Sequence, residues 1–307
     1  MVSFKLKFRP RTSLFSYMES QVTKLRGHGQ YRTAETYNST LNSFRYFRKD
    51  SDLSLKELSN ELLADYAFYL KNRGVSPNTV AFYLKRLRAI YNKAVEEELV
   101  ENRHPFREIS TSSEKTAKRA ISLKYIRQLK ELDLTHSPSK CFARDMFLFS
   151  FYTRGMSFID MANLQKADLC SDILSYRRKK TGQQLSIHWE PCMKQIAERY
   201  QAPPTSPYLL AILRPTDGDP RKQYHSVLTL INRHLKEIGR SIGLSIPLTM
   251  YVARHSWASI ARNEGIPLSV ISEGMGHESE RTTRIYLASL EPQIINNANK
   301  KILQKLS

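Results

Sequence analysis

The apolar residues of this chain recur at helical spacing along almost its whole length, and the period changes in one short stretch. Leu14, Tyr17, Met18, Val22 and Leu25 form one stripe, which the GHGQ run at 27–30 breaks. Tyr37, Leu41, Phe44 and Tyr46–Phe47 lie on or near a second, and Leu53 to Leu70 supplies one or two more helices, closed by Gly74. Ser76-Pro77 then reads as a helix start, with serine as the cap and proline at the first helical position, where no N–H is needed. Val80, Leu84, Leu87, Tyr91, Ala94 and Val95 mark the next inward stripe. Such stripes must bury themselves against one another, so 13–105 is expected to be a four- or five-helix bundle. Helices resume at Leu123–Leu132, at Lys140–Tyr152 and from Met193 onward. The exception is DILSYRRKKTGQQLSIHW (172–189), two short alternating segments around a KTGQ turn, which reads as a β-hairpin. The expected fold is mainly α with one small sheet.

A chain of 307 residues exceeds one ordinary core and suits two domains. The segment ISTSSEKTAKRAIS has little apolar periodicity, so the expected division is a domain at 1–108, a linker at 109–122 and a domain at 123–307. Lys and Arg total 48 against 29 Asp and Glu, a net charge of +19 that is spread over both halves. A solvated face explains one basic region. An excess in both halves of a folded protein points to a polyanion, and nucleic acid is the commonest. A membrane-surface protein would concentrate the charge on one amphipathic helix. No run approaches the ~18 apolar residues of a membrane span, and MVSFKLKFRPRTSLF lacks the apolar core of a signal peptide. A cytoplasmic, nucleoid-associated protein is expected. The three cysteines (Cys141, Cys170, Cys192) form no CxxC, and there is no HExxH, so neither a metal nor a cofactor is expected.

The segment ARHSWASIARNEGIPLSVISEGMGHESERTTRIYL carries Arg254-His255-Ser256, Gly276-His277 and Tyr286 in that order. It resembles the tyrosine recombinase (phage integrase) family, whose catalytic domain bears RH[ST], then GH, then TxxxY. The resemblance covers almost the whole chain. It implies an N-terminal core-binding, SAM-like bundle that grips DNA as half of a clamp. It also implies an α-rich catalytic domain whose small sheet carries Lys180 in a turn. The residue types suit the implied chemistry. Exchanging strands without an energy source requires the phosphodiester energy to be stored, and an ester on Tyr286 stores it. A free phenol has a pKa of ~10, so the phosphate must be polarised. Arg254 can do this with paired donors, His277 can hydrogen-bond the phosphate or manage protons, and Lys180 suits protonation of the leaving 5′ oxygen. Taken singly, each of these residues is more often structural. Their order, spacing and the net charge together carry the functional reading. His255 is expected to be structural, and His188 and Trp189 to be strand residues.

Two positions depart from the family pattern. Ser157 stands in GMSFIDMANL where the family has its first catalytic arginine, and Arg154 is expected, one helical turn away, to reach the same phosphate. A subgroup found on bacterial mobile elements has this serine. Tyr251 replaces the histidine or lysine of the H-x-x-R box and can donate to a phosphate oxygen. DNA contacts are expected from Arg45, Lys85 and Arg88 in the bundle and from Arg177 and Arg178 in the hairpin. The implied partners are double-stranded DNA with paired recombination sites and a homotetramer on that DNA, with an accessory DNA-bending protein as an optional addition. The implied reaction is integration, excision or inversion of a DNA element. About a dozen residues precede the first helix, too few for an arm-binding domain, which favours a DNA invertase or a transposon-type integrase. The competing readings are a DNA-binding protein of this fold that has lost the chemistry and a monomeric relaxing topoisomerase. The apolar tail (Leu290, Ile294, Ile295, Ile302, Leu303) speaks against the second, because recombinases pass such a segment to a neighbour.

Overall fold

The computed structural model describes residues 13–112, 114, 119–214, 218–287, 299 and 303–304. The chain separates into two compact units, Met1–Thr116 and Ala117–Ser307.

In the first unit four helices follow one another: α1 (Leu14–Gly27), α2 (Tyr31–Phe47), α3 (Asn60–Asn72) and α4 (Pro77–Glu96). Ser13, Ser59 and Ser76 cap α1, α3 and α4 with side-chain oxygens. The region after Leu53 is a single 3-10 turn, Leu55–Glu57, closed by a Ser54/Glu57 capping box. Leu14, Met18, Leu41, Phe44, Leu63, Tyr66, Leu87 and Ile90 fill the core. Phe44 meets Tyr66 edge-on at 4.9 Å, and the Tyr66 hydroxyl, buried with its ring, donates to Ser43 Oγ at 2.7 Å.

The second unit is built around α6 (Pro138–Tyr152), on which Ala143 to Ser150 are all buried. The helix is covered on every side because α5 (Leu123–Glu131), α8 (Pro191–Arg199), α9 (Pro220–Ser241) and α10 (Met250–Asn263) pack round it. A sharp turn leads from α6 into the short α7 (Phe158–Ala162). The sheet has three antiparallel strands in sequential order: β1 (Leu169–Cys170), β2 (Ile173–Arg177) and β3 (Gln184–His188). Periodicity reveals β2 and β3 but not β1, since two residues are too few to show a period. Ser171 and Asp172, both at positive φ, turn β1 into β2. Pairing of Ser175 with Ser186 and of Arg177 with Gln184 sets the register, and Leu174, Tyr176, Leu185 and Ile187 face the core. Two more helices, α11 (Leu268–Gly274) and α12 (Glu280–Tyr286), pack on α10.

The two ends of the proposed linker each belong to a unit. Asn78 exchanges hydrogen bonds with the Glu114 backbone in the first. In the second, the Ile121 N–H donates to Ser256 Oγ at 2.9 Å, so the serine of the RHS triplet holds the chain rather than a substrate. Among the described residues, no helix is long and apolar enough to cross a membrane.

Candidate active site

Arg254 lies on α10 and is only 5% exposed. Its Nη1 donates to the Gly155 carbonyl at 2.8 Å, and its Nη2 donates to the Met275 carbonyl at 2.7 Å and to His277 Nε2 at 2.8 Å. The turns after α6 and α11 thus meet on one guanidinium. The approach is so close that a Cβ on Gly155 would lie 2.7 Å from Arg254 Cα, and Gly155 has φ +75°. No other residue fits both demands.

A guanidinium only donates, so His277 Nε2 accepts and the proton sits on Nδ1. Nδ1–H then donates to Thr283 Oγ1 at 2.8 Å, and Thr283 is wholly buried on α12. Burial, and then the charges of Arg254, Arg178 and Lys180, push His277 down to about 3. His277 is therefore a neutral acceptor and relay in this state, not a cation.

Three basic side chains of the hairpin behave differently. Lys180 is exposed in the turn, and its charge is felt at His277. Arg177 is exposed, with Nη1 on the Gly182 carbonyl at 2.8 Å. Arg178 turns inward and is 6% exposed. Its Nη1 donates to the Gly276 carbonyl, and its Nε lies 3.9 Å from Asp160 Oδ2. Asp160, buried on α7, accepts the Lys179 N–H at 2.8 Å and the Ser157 hydroxyl at 2.6 Å. Tyr176 of β2 is a buried phenol near these charges, and burial raises its pKa far above the usual range, which makes it a poor nucleophile.

The cluster thus brings together Arg254, His277, Lys180 and Arg178. The other expected site residues are placed as follows. Arg154 is not a helical turn from Ser157. It occupies a left-handed turn at φ +59°, and its guanidinium donates to the Ser186 carbonyl of β3 at 3.4 Å. Ser157 is the N-cap of α7 and is tied to Asp160. Tyr251 is half exposed on the first turn of α10, with its ring 4.6 Å from that of His255. Arg178 is not the exposed phosphate contact expected of a basic hairpin, because the strand alternation that buries Leu174 and Tyr176 continues to it. In the bundle, Arg88 donates to the Phe106 and Ile109 carbonyls and Arg45 pairs with Glu19 at 2.7 Å, whereas Lys85 is exposed. Tyr286 ends α12, but its side chain lies outside the described residues, as does the apolar tail apart from Leu303. Among the described residues, no three His, Cys, Asp or Glu side chains converge as metal ligands.

Sequence reading did not assign Asp160 and Thr283 their roles. The alternation through β2 was the available signal for Arg178. Nothing local marks Thr283 as the partner of His277.

Basic and imidazole groups gather here around one polar centre, beside a helix that ends in tyrosine, and make it the candidate active site. Comparison with known proteins agrees. Residues 13–111 match the phage integrase SAM-like domain, and residues 173–292 match the phage integrase family. A tyrosine recombinase XerA of Pyrococcus furiosus is 26% identical over 270 residues, covering 75% of this chain and 90% of that protein. A lambda integrase dimer bound to a COC' core site has the same fold, with a TM-score of 0.67 at 16% identity, over 90% of this chain and 77% of that one. The Tn1549 transposon integrase in complex with transposon right end DNA aligns at a TM-score of 0.65 and 14% identity, over 95% and 100% of the two chains. The chain belongs to the tyrosine recombinase (phage integrase) family, and it is a site-specific recombinase.

Proposed function

We propose that the chain cuts and rejoins double-stranded DNA at paired sites through a 3′-phosphotyrosyl ester on Tyr286. The Tyr286 hydroxyl attacks the scissile phosphorus, and the bond to the 5′ oxygen breaks. Lys180 gives its proton to that leaving oxygen, and the phenolic proton passes to solvent water as the ester forms. Arg254 donates to the nonbridging oxygens where negative charge builds up. His277 holds the inner face of Arg254, and its neutral ring shares the phosphate pocket. Tyr251, exposed one turn before Arg254, supplies a phenolic donor. Religation reverses the step with a 5′ hydroxyl from the partner strand.

The observation that carries this reading is the bond between Arg254 and His277, with Lys180 close enough to depress the imidazole. A lambda integrase tetramer bound to a Holliday junction has this fold, which supports a homotetramer on paired sites here. Ser157 in place of arginine groups the chain with mobile-element recombinases, acting in integration, excision or inversion. An accessory DNA-bending protein and nucleoid association fit that role.

A nicked DNA substrate, which lets the cut end diffuse away, traps the covalent adduct for a denaturing gel. Wild type forms the adduct, and Tyr286→Phe binds DNA but forms none. An adduct with Tyr286→Phe would show that the nucleophile is another residue. No adduct with wild type on its own sites would leave only DNA binding.

A further inference from the structure

We propose that Arg178 is the second guanidinium of this active site, supplying from the hairpin the phosphate contact that Ser157 cannot make. This rests on the recombinase reading above.

Burying a guanidinium is expensive unless its charge is matched. The second unit shows what a structural buried arginine looks like. Arg144 pairs with Asp145 at 2.8 Å, and its Nη1 donates to the Leu132 carbonyl at 2.6 Å. Arg178 is buried as deeply, but its ion pair among the described residues is a longer one. Asp160 stands at 3.9 Å, and among the described residues Arg178 Nε has no hydrogen-bond partner. The cation is held in place by the Gly276 carbonyl and only loosely matched by Asp160.

Its position matches the chemistry. Arg254 donates to the Met275 carbonyl and Arg178 to that of Gly276. These are consecutive carbonyls, and consecutive residues lie about 3.8 Å apart. Two forks so placed can share the nonbridging oxygens of one phosphate, directly before His277. The fit is specific, since a Cβ on Gly276 would fall 2.7 Å from Arg178 Cδ.

Ser157 makes this exchange possible. Its short side chain donates to Asp160 Oδ2, and Asp160 Oδ1 takes the Lys179 N–H. A long cation at 157 would compete for Asp160 and fill the space beside Arg178. The other arginines nearby are engaged elsewhere: Arg154 on the Ser186 carbonyl and Arg177 on the Gly182 carbonyl.

The test compares single-turnover cleavage of a normal nicked substrate with one whose scissile phosphate is a methylphosphonate, which carries no charge to neutralise. Arg178→Ala should cleave the phosphate about 10²-fold more slowly than wild type, the size of losing one oxyanion donor. It should cleave the methylphosphonate within about threefold of wild type. The ratio of the two rates within one preparation does not depend on how much protein is folded, so a destabilised variant still answers. Arg178→Lys keeps the charge without the fork and should fall between the two. Ser157→Arg added to Arg178→Ala should recover phosphate cleavage. A wild-type ratio in Arg178→Ala overturns the proposal, and a double variant no faster than Arg178→Ala overturns the exchange with Ser157. A wild type that forms no adduct at all overturns the recombinase reading and this proposal with it.

Discussion

His277 shows how far a residue's surroundings decide its chemistry. An unperturbed imidazole titrates near 6.5, whereas burial and three cations hold this one near about 3. Between these values the unfolded chain takes up a proton and the folded chain does not, so stability is present above pH 6.5 and is lost as pH falls towards 3. The melting temperature should therefore drop between pH 7 and pH 4.5, and His277→Gln should make that drop shallower. An equal slope in the variant would mean that other groups carry the effect. Thr283 fixes the tautomer that lets Nε2 accept from Arg254. Thr283→Val should slow cleavage by about tenfold, the scale of one buried hydrogen bond, and Thr283→Ser should restore it.

At the level of elements, the hairpin and α7 form one device. The loop between β2 and β3 is held by Asp160 through the Lys179 N–H, and Asp160 is oriented by the Ser157 cap. The carboxylate therefore holds the loop that carries Lys180. Asp160→Asn keeps the size but weakens both bonds and the attraction to Arg178. Cleavage should fall by about tenfold or more, in line with one charge-assisted hydrogen bond. The loss should shrink on a substrate with a 5′ sulfur leaving atom, which needs no protonation by Lys180. An equal loss on both substrates would place the effect of Asp160 elsewhere, for instance on Arg178 alone.

Across the whole molecule, the net charge of +19 attracts DNA without choosing a sequence. Basic residues contribute to this only where their charge reaches solvent. Lys85 is exposed, whereas the Arg88 guanidinium stacks on Phe106 and donates to two carbonyls of its own unit. Lys85→Ala should reduce the salt slope of DNA affinity by about 1. Arg88→Ala should leave that slope nearly unchanged and cost about 1–3 kcal/mol of stability, because two carbonyls lose a charged donor. A change of slope with Arg88→Ala and none with Lys85→Ala would reverse this assignment.

Helical periodicity, the hairpin and the RHS, GH and TTRIY segments are properties of neighbouring residues, and they determined the fold class and singled out Arg254, His277, Lys180 and Tyr286 as candidates from sequence alone. The cap at Ser76 and the breaks at Gly74 and GHGQ were legible for the same reason. The source of the second guanidinium proposed above was not legible in this way. Arg154 is closest to Ser157 along the chain, but a left-handed turn sends it to Ser186, while Arg178, far along the chain, arrives at Gly276. Side-chain direction depends on backbone dihedrals and strand pairing, and charge depends on burial and on neighbours brought in from other elements. Only the packed structure sets these quantities, which is why it alone decided that Arg178 lies at Gly276 and that His277 is neutral.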